Sequence, residues 1–546
     1  MDAASSSPAT SLACASTAMR DAPTGPAAEL PAKVWGAPDL VRCKSHIPQA
    51  RSGRNLALAT VLGVALGLRL WVVLTHTYII FQDETFQYLE QAHRLAFGSG
   101  VVPWEFIDGI RSWLLPGMIA LVMRLTALVS PDPSTYVLVV RICVIAASLS
   151  VPYVGFRMAE QRCALPGAVA VGLLCAFWFD LVYFAPAVLT EVMATYAAFW
   201  AIWLGDVQAG GSPSRRRLML AGALFGLACC LRYQYAPALA LAALWQHGRD
   251  HTRLGTVLVG TLAALALTGG LLDTLTWGAP FQSVWLNFSR NAVQGVGAAL
   301  GVEPWYYFPA YFSVAWNIVA PLLLGLMVLG ATRMPALAFA AVATVALHSM
   351  TPHKEMRFIF LASAAMPVLI GLGTASMLQS VIRLRRAATV PTAIAVAVVI
   401  AGAVATATAT RAYPANAWHR DRSVVQAFDA ARSEPNLCGL GVRTLSVYRS
   451  GGYTYLHRDV PIYFETFEAV QQLETLPFRL RLRLVLNGQP VPQYPNEQLA
   501  RNSGRFNFLI GRPGDRLPGF ETTACFGAGS PDDPAICVFR RPGGCD

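Results

Sequence analysis

Long apolar stretches separated by short polar segments run along most of this chain, from about residue 56 to residue 409. A helix needs about 20 apolar residues to cross the hydrocarbon core of a bilayer. The pattern predicts spans at 56–74, 136–155, 166–183, 191–204, 218–231, 235–245, 254–272, 312–329, 334–350, 358–378 and 393–409. We therefore expect an all-α polytopic membrane protein with about eleven transmembrane helices, its N-terminus in the cytoplasm and its C-terminus outside.

One further apolar stretch, 113–129, is near the minimum spanning length and is interrupted by Arg124. If it crossed the membrane, every later loop would change sides, and four groups of basic residues would face outward. These groups are Arg157 with Arg162, Arg215 with Arg216 and Arg217, Arg249 with Arg253, and Arg383 with Arg385 and Arg386. Because basic residues collect in cytoplasmic loops, the positive-inside rule favours an interfacial or re-entrant helix at 113–129.

The two ends of the chain differ from its apolar middle. Residues 1–54 are rich in Ala, Ser and Pro without an apolar period, which predicts a disordered cytoplasmic tail. Residues 55–410 form the predicted transmembrane domain. Residues 411–546 are polar, with strand-like runs at 461–464 and 505–510, and predict a small C-terminal extracytoplasmic α/β domain.

Four of the 11 cysteines lie in this last part of the chain, at Cys438, Cys525, Cys537 and Cys545. In an oxidising compartment they predict one or two disulfides, and the pairing stays open because spacing alone does not determine it. The alternative is that the four are unpaired.

Composition agrees with a membrane protein. The chain has 546 residues, of which 55% are hydrophobic and 13% charged, and its mean hydropathy is +0.45. A soluble domain carries about 25% charged residues. The net charge of +11 is explained by basic cytoplasmic loops, and no basic arm with interleaved aromatics is present. The lipid bilayer is thus an expected partner and nucleic acid is not.

An acidic pair, Asp83 and Glu84, follows the first predicted span within the polar string 82–87. Charge at a membrane boundary is costly to place, so it indicates a functional site. The pair is the candidate catalytic group, with Asp83 as general base and Glu84 in reserve. The structural alternative is that Asp83 caps the next helix and Glu84 matches its dipole.

A basic cluster occupies 353–358, another string at a membrane boundary. His353, Lys354 and Arg357 predict a binding site for an anion, most simply a phosphate, with Glu355 paired locally. The alternative is an anchor beside lipid head groups. That alternative is weakened because the cluster is predicted to lie outside, against the positive-inside trend.

The predicted topology gathers five sequence-distant polar motifs on the outer face, which is typical of an extracytoplasmic active site. The candidate substrate-binding residues in these motifs are Trp104, Glu105, Arg111, Glu191, Arg232, Trp305 and Tyr306. Several of these residues have a structural alternative. Glu191 could match the dipole of its helix, Arg232 could anchor the end of its helix, and the aromatic residues could belong to an interfacial aromatic belt.

Several other chemistries find no support in the sequence. No zinc-ligand spacing is present, and we expect no bound metal or other cofactor, although a loosely held divalent ion at Asp83 and Glu84 stays open. The Gly-rich segments at 98–100 and 295–297 lack the context of a phosphate loop, and no hydrolase elbow occurs.

The string Gln82-Asp83-Glu84-Thr85-Phe86-Gln87, with Glu90, His93, Trp104-Glu105 and Arg111-Ser112, resembles the first outer loop of glycosyltransferase family 22. This family comprises the polyprenyl-phosphate-mannose-dependent mannosyltransferases of glycosylphosphatidylinositol and N-glycan assembly. Also similar are Asp273-Thr274, Asn287-Phe288, Pro304-Trp305-Tyr306-Tyr307-Phe308 and His353-Lys354-Glu355-Met356-Arg357-Phe358. The resemblance runs from about residue 56 to residue 378 and does not include the tail.

The departures from the family pattern concern residues beside the motifs. Phe81 and Gln82 stand where the family has His-Pro, Pro103 where it has Thr, and Met356 where it often has Glu. The charged residues are retained. The reaction type is therefore expected to be preserved, whereas the departures leave the donor head group and the acceptor open.

The resemblance implies the C-type glycosyltransferase fold and an inverting, metal-independent hexosyltransferase. The expected reaction moves a mannosyl unit from a polyprenyl-phosphate-linked donor to a lipid-linked or cell-envelope glycan acceptor on the outer face. Asp83 would be the general base, and His353, Lys354 and Arg357 would bind the donor phosphate. Such a donor already carries its leaving group, so the protein must supply a base and cations.

Two alternatives are weighed against this reading. A transporter or flippase of lipid-linked saccharides would also have many spans, but such proteins favour internal repeats and midplane sites, and neither is visible. A C-type glycosyltransferase could use another polyprenyl-phosphate sugar, such as arabinose or glucose. Ala- and Arg-rich usage and the lack of a retrieval signal indicate a bacterial inner membrane with a periplasmic site; a eukaryotic protein would lie in the endoplasmic reticulum with a lumenal site.

Overall fold

The computed structural model describes residues 51–385 and 418–545, apart from 77–78, 80, 207–211, 300, 419, 444, 446–448, 466–498, 500–501 and 531–532. Residues 1–50 of the predicted N-terminal tail and the predicted last span at 393–409 lie outside the described residues.

Helices form almost all of the described chain up to residue 385. In chain order they are α1 (Arg51–Thr75), α2 (Glu90–Phe97), α3 (Trp104–Ile107), α4 (Leu114–Ala127), α5 (Pro133–Ser148), α6 (Ser150–Glu160), α7 (Leu165–Phe177), α8 (Phe179–Tyr183), α9 (Thr190–Leu204), α10 (Arg215–Leu231), α11 (Ala236–His247), α12 (His251–Leu265), α13 (Leu272–Trp277), α14 (Gln282–Phe288), α15 (Val296–Ala299), α16 (Tyr307–Trp316), α17 (Ala320–Ala331), α18 (Pro335–Ser349) and α19 (Phe360–Arg385). π-Helical segments lie at Glu84–Leu89, Ala266–Leu271 and Ser289–Val293, and 3-10 turns lie at Tyr233–Tyr235, Asn317–Val319 and Met356–Ile359.

Within the part of the chain that the structure describes, five helical stretches are long and apolar enough to cross a membrane by length and composition: Ser52–Thr75, Pro133–Glu160, His251–Trp277, Tyr307–Ala331 and Met356–Leu378. Three shorter apolar helices are Leu114–Ala127, Leu165–Phe177 and Pro335–Ser349. The chain is therefore a multi-pass integral membrane protein. The stretch predicted as one span at 166–183 is divided at Trp178, whose ψ of 126° ends α7.

One end of the helix bundle, here called the basic end, gathers arginines from distant parts of the chain. Arg54 at the start of α1 lies 3.8 Å from Glu160 at the end of α6. Arg162 pairs with Asp206, and its Nε donates to the carbonyl of Arg333 at 2.7 Å. Residues that the positive-inside rule assigns to one side of the membrane thus lie at one end of the bundle.

The opposite end, here called the motif end, holds the polar motifs. Arg232, just after α10, pairs with Glu191 in the first turn of α9 at 3.1 Å. The Trp277 Nε1 at the end of α13 donates to the carbonyl of Arg111 at 3.0 Å. The helix α1 starts at the basic end, and α5 with α6 returns to it, so α4 adds no net passage between the ends.

The length of α4 agrees with this arrangement. It has 14 residues, which at about 1.5 Å per residue span roughly 21 Å. The hydrocarbon core is about 30 Å thick. The interfacial or re-entrant helix predicted at 113–129 is therefore consistent with the structure, although its depth in a bilayer stays a prediction.

Small residues allow close helix contacts inside the bundle. At Gly222 in α10 an added Cβ would collide with the backbone of Val257 in α12, and at Gly260 it would collide with the backbone of Met219. Close approach of backbones at small residues is a common mode of helix packing in membranes. The pair α10 and α12 owes its tight contact to these positions.

The described part of the chain after residue 418 contains a small mixed sheet. Its elements are α20 (Arg422–Arg432), β1 (Leu440–Val442), α21 (Gly452–Leu456), β2 (Ile462–Phe464), β3 (Phe508–Gly511), β4 (Glu521–Phe526) and β5 (Ile536–Arg540). The strand order is β2-β1-β3-β5-β4. Strand β1 is parallel to β2 and β3, with Leu440 opposite Ile462 and Phe508, and β5 is antiparallel to β3 and β4. The predicted run at 461–464 contains β2, whereas the run at 505–510 begins in a 3-10 turn and becomes strand β3 at Phe508.

The four tail cysteines form two disulfides, Cys438–Cys545 and Cys525–Cys537. The first closes a sequence separation of 107 residues, and the second joins the paired strands β4 and β5. The predicted disulfides are thus present, and the structure supplies the pairing that the sequence left open.

A buried carboxylate, Glu90 in α2, holds the sheet-containing part to the motif end. Its Oε1 accepts hydrogen bonds from the backbone N–H groups of Val101 and Tyr453, both at 2.8 Å. Its Oε2 accepts from the N–H of Thr454 at 2.8 Å and from the Thr454 hydroxyl at 2.6 Å. The hydroxyl of Tyr136 donates to the carbonyl of Thr454. The tail therefore packs beside the polar motifs.

Candidate active site

Asp83 lies directly before the π-helical segment Glu84–Leu89 and makes no side-chain capping hydrogen bond. The helix-cap role is therefore not realised. Its Oδ2 instead accepts a hydrogen bond from Arg357 Nη2 at 2.6 Å. The Asp83 side chain is 26% exposed while that of Arg357 is 8% exposed, so a substrate can reach the carboxylate. The predicted catalytic motif and the predicted phosphate-binding motif thus meet in one ion pair.

Arg357 is the centre of a network of carboxylates. Its Nε donates to Glu355 Oε2 at 2.6 Å and lies 3.9 Å from Glu191 Oε1. The guanidinium also stacks over Phe81, 4.5 Å from the ring centroid. A cation over an aromatic face is stabilised electrostatically. Phe81, where the chain departs from the family pattern, therefore helps to hold the arginine that holds Asp83.

Glu355 pairs locally, as predicted, and its partner is Arg357. His353 Nε2 also lies 2.9 Å from Glu355 Oε1. Burial of the Glu355 carboxyl opposes ionisation, but the charge of Arg357 and the hydrogen bonds from His353 and Arg357 outweigh it and lower its pKa to about 2. The Glu355 carboxylate is thus charged at neutral pH and pairs with the Arg357 guanidinium.

Lys354 is buried, and its ammonium donates to the backbone carbonyls of Glu303, at 2.8 Å, and of Thr351. It ties the loop before α16 to the loop that carries the basic motif. Trp305 and Tyr306 follow Glu303 in the same loop. They are 72% and 52% exposed, and their rings contact each other. The structure does not place these two aromatic residues in the Asp83–Arg357 network, and their substrate-binding role stays a prediction.

Glu191 and Arg232 belong to the same network. Besides its 3.1 Å contact with Glu191, Arg232 stacks over Phe358 at 4.8 Å from the ring centroid. The hydroxyl of Thr190 lies 3.2 Å from Glu191 Oε2 and 2.8 Å from the hydroxyl of Tyr88. Arg232 is therefore more than an anchor for its helix end.

Glu84 points away from Asp83. Its Oε1 lies 3.3 Å from Arg141 Nη2, and both side chains are buried against α5. The geometry favours a structural tether from the first outer loop to α5 over a second catalytic carboxylate, and it leaves Asp83 as the reachable member of the pair.

Glu105 and Arg111 lie close enough to Asp83 for its charge to act on both. Glu105 Oε1 accepts from Gln87 Nε2 at 2.8 Å. Burial, and then the charge of Asp83, raises the pKa of Glu105 to about 7. Trp104 begins the short helix α3 that carries Glu105. The pKa of Arg111 is raised: burial opposes its charge, but Tyr88, Glu105, Asp83 and Glu191 together outweigh it.

The structure therefore brings together Asp83, Glu105, Arg111, Glu191, Arg232, His353 and Arg357 at the motif end. The candidate site residues predicted from sequence did not include Phe81, Gln87, Tyr88 or Arg141, whose side chains position these groups. The sequence did contain a clue to the role of Phe81, because this residue stands where the family has His shortly before the acidic pair. Within the described ranges no group of three or more His, Cys, Asp or Glu side chains is placed to hold a metal ion.

Comparison with known structures shows a shared fold. ArnT from Cupriavidus metallidurans bound to undecaprenyl phosphate matches with a TM-score of 0.55 and 13% identity, over 90% of this chain and 98% of that chain. The Archaeoglobus fulgidus oligosaccharyltransferase matches with a TM-score of 0.54 and 12% identity, over 85% of this chain and 69% of that chain. The expected C-type glycosyltransferase fold is thereby confirmed.

Sequence comparison places the chain among mannosyltransferases. It is 29% identical over 428 residues to GPI mannosyltransferase 3 of Yarrowia lipolytica, covering 75% of this chain and 77% of the relative. It is 24% identical over 351 residues to GPI alpha-1,2-mannosyltransferase 3 of Danio rerio, covering 62% and 64%. The match with the Drosophila melanogaster GPI mannosyltransferase 3 spans about half of either chain, 53% and 51%. A family model matches residues 60–457, most of the chain, so the protein belongs to the Alg9-like mannosyltransferase family.

Proposed function

We propose that this enzyme moves a mannosyl unit from a polyprenyl-phosphate-linked donor to a hydroxyl of a lipid-linked glycan acceptor. Membership of a mannosyltransferase family supports the reaction type. The observation that carries the proposal is the Asp83–Arg357 pair: a partly exposed carboxylate held at 2.6 Å by a buried arginine, among charges gathered at one end of a membrane bundle.

In the proposed reaction Asp83 accepts the proton of the acceptor hydroxyl as the acceptor oxygen attacks C1 of the sugar. The bond between C1 and the phosphate oxygen breaks, and the polyprenyl phosphate leaves with the electron pair. Attack opposite the leaving group inverts the anomeric configuration. A positioned base contributes typically ~10²–10⁴-fold to the rate.

The second Asp83 oxygen, Oδ1, is the natural proton acceptor, because Oδ2 is engaged by Arg357. Arg357 fixes the direction of this carboxylate through that contact. We propose that His353, Lys354 and Arg357 act on the donor phosphate, with Lys354 shaping the loop through its two carbonyl contacts. Since Arg357 also faces Glu355, the developing negative charge would meet a guanidinium whose orientation is already fixed.

We further propose an arrangement of about eleven spans, with the active site and the tail 411–546 on the extracytoplasmic face. The arginines at the opposite end of the bundle support this orientation through the positive-inside rule. The two tail disulfides support it too, because such bonds persist in oxidising compartments. The domain division into 1–54, 55–410 and 411–546 is part of the same proposal.

The test is incubation of membranes that contain the full chain with radiolabelled polyprenyl-phosphate mannose. We expect label to move into a glycolipid or glycan, and unlabelled polyprenyl-phosphate arabinose or glucose to compete poorly. Efficient competition by one of these would assign the enzyme to another sugar. Label that only crosses the bilayer, still attached to its polyprenyl phosphate, would contradict transfer and favour a flippase.

A further inference from the structure

Arg420, at the start of the described part of the tail, contacts the chain just before the acidic pair. Its backbone carbonyl accepts a hydrogen bond from the N–H of Ile79 at 3.0 Å, and Ile79 is buried. Its guanidinium lies over the ring of Phe81, 5.9 Å from the ring centroid. Both contacted residues belong to the short connection between α1 and Asp83. A residue of the tail thus holds the stretch of chain that leads into the proposed base.

The ring of Phe81 contacts a second guanidinium, that of Arg357, at 4.5 Å from the ring centroid. It also stacks on the ring of Phe184, with 6.1 Å between centroids and 10° between planes. A cation over an aromatic face is attracted to it. A protonated His, the residue type that the family has at this position, would instead repel both guanidiniums. Phe81 therefore links an arginine of the tail to the arginine that holds Asp83.

The neighbours of Arg420 are anchored on both sides. The ring of Trp418 meets that of Tyr183 in α8 edge-on, with 5.2 Å between centroids. On the other side, Asp421 is 2% exposed and accepts a hydrogen bond from Arg449 Nη2 at 2.8 Å. One anchor lies on the helix bundle and the other within the tail. The position of Arg420 is therefore determined by how the tail packs on the bundle.

We propose that Arg420 is a positioning residue for the proposed base, Asp83, and acts through Phe81. The ring of Phe81 joins the guanidiniums of Arg420 and Arg357. Arg357 in turn donates to Asp83 Oδ2 at 2.6 Å. A displacement of about 1 Å in a catalytic group can cost about 10²-fold in rate, so a contact that keeps Arg357 in place affects catalysis. The tail thereby takes part in the reaction without touching the substrate, and the inference rests on the proposed role of Asp83.

The experiment is a double-mutant cycle on the purified full-length protein, with initial rates of transfer and thermal unfolding measured for each variant. Arg420→Gln removes the charge and keeps the backbone carbonyl that Ile79 uses, Arg420→Lys keeps the charge, and Phe81→Leu removes the ring. The matched control is Arg540→Gln, because Arg540 lies over the ring of Phe508 at the same 5.9 Å, within the tail sheet.

We expect Arg420→Gln to lower kcat roughly 3- to 30-fold, the range that one cation–π contact covers when it is converted to a rate, with both KM values within about twofold. Arg420→Lys should keep most of the rate, and Arg540→Gln should keep all of it. In protein that already carries Phe81→Leu, Arg420→Gln should have no further effect. An Arg420→Gln enzyme as fast as the control would overturn the proposal. Equal losses with and without the Phe81 ring would overturn it too, because Arg420 would then act by another route.

A purely structural role for Arg420 has a different signature. Its charge also acts on the neighbouring carboxyl of Asp421. Loss of that interaction alone would lower the melting temperature and the amount of folded protein, and the kcat per folded molecule would stay unchanged. That combination of results would contradict a positioning role.

A readout without turnover separates failure of this inference from failure of the proposed function. A water-soluble carbodiimide modifies accessible carboxyl groups, and mass spectrometry measures how fast Asp83 is modified. Because Arg357 covers Asp83 Oδ2, we expect Arg420→Gln to speed this modification and Arg540→Gln to leave it unchanged. Faster modification in a protein that transfers no sugar would refute the glycosyl transfer and leave the positioning role intact. Normal transfer, with Arg420→Gln equal to its control in both readouts, would overturn the positioning role alone.

Discussion

Replacing Asp83 by Asn removes the proposed base with the smallest change in shape. The amide oxygen can still accept the hydrogen bond that Arg357 Nη2 now gives to Oδ2 at 2.6 Å. Arg357 also keeps its 2.6 Å contact with Glu355. The network should therefore persist, and the protein should reach the membrane in normal amount. What is lost is the capacity to take a proton.

The size of the effect follows from that role. A positioned general base contributes ~10²–10⁴-fold, or roughly 3–5 kcal/mol of barrier. The structure favours the upper part of this range, because Glu84 is turned towards Arg141 and cannot substitute for Asp83 without moving. Glu105 lies close enough for the charge of Asp83 to act on it, and its raised pKa of about 7 leaves it half protonated at neutral pH.

The assay is initial-rate transfer from radiolabelled polyprenyl-phosphate mannose by purified protein at saturating donor, with donor binding measured separately. Asp250→Asn is the matched control, since Asp250 caps α12 at the start of a different helix. We expect the control to keep its activity and Asp83→Asn to lose at least 100-fold in kcat with donor affinity nearly unchanged. Activity of Asp83→Asn within twofold of the original protein would remove Asp83 from the mechanism.

Four further predictions concern the network and the tail. Arg357→Lys should lower kcat or raise the donor KM by about 10²-fold, because an ammonium cannot hold Asp83 and Glu355 as a fork does. Glu105→Gln should remove a pH dependence of thermal stability. Because the folded-state pKa of Glu105 is raised from 4.5 to about 7, its protonated carboxyl stabilises the fold below pH 4.5, and this contribution to the free energy of unfolding, at most ~3 kcal/mol, is lost as the pH rises to about 7. Gly452→Ala should destabilise the docked tail by about 1–3 kcal/mol, since φ is +59° and a Cβ would sit 2.6 Å from Glu90 Oε2. Cys545→Ser should cost about 2–5 kcal/mol by opening the Cys438 disulfide, as measured by thermal unfolding of the purified protein.

Matched controls exist for these variants. Arg253→Lys changes an ion pair with Asp250 in another part of the chain, Gly529→Ala places a Cβ at positive φ in open space, and Cys143→Ser changes an exposed free cysteine. Arg357→Lys that alters only the acceptor KM would move the 353–357 motif to the acceptor pocket. A melting temperature equally pH-dependent with and without Glu105 would refute its buried ionisation. Tail variants no less stable than their controls would refute the docking through Glu90.

The long apolar helices could be predicted from sequence because a preference for lipid is a property of each apolar stretch by itself. The predicted 56–74 and 254–272, for example, fall within the helical stretches Ser52–Thr75 and His251–Trp277. The break at Trp178 escaped prediction because both flanking segments, α7 and α8, are apolar. The placement of α4 could be predicted only through the arginines that follow it.

The site could be predicted as a set of motifs but not as a set of pairs. Asp83 and Arg357 are separated by 274 residues in the sequence. Each motif indicated a charged site, but neither indicated which residue its charge would pair with. Within the acidic pair, Asp83 pairs with Arg357 and Glu84 pairs with Arg141. The two side chains take these different directions at the start of the π-helical segment Glu84–Leu89, which the sequence did not predict. The contact of Glu90 with Thr454 joins residues 364 apart, and nothing local to either residue indicates it.

The account's central claim is tested most directly by a single turnover with purified protein in proteoliposomes, following both products of labelled polyprenyl-phosphate mannose. The account predicts that each sugar transferred to the acceptor releases one polyprenyl phosphate, that the new bond has inverted anomeric configuration, and that Asp83→Asn produces neither product. Donor recovered intact on the other side of the bilayer, or transfer with retained configuration, would contradict it.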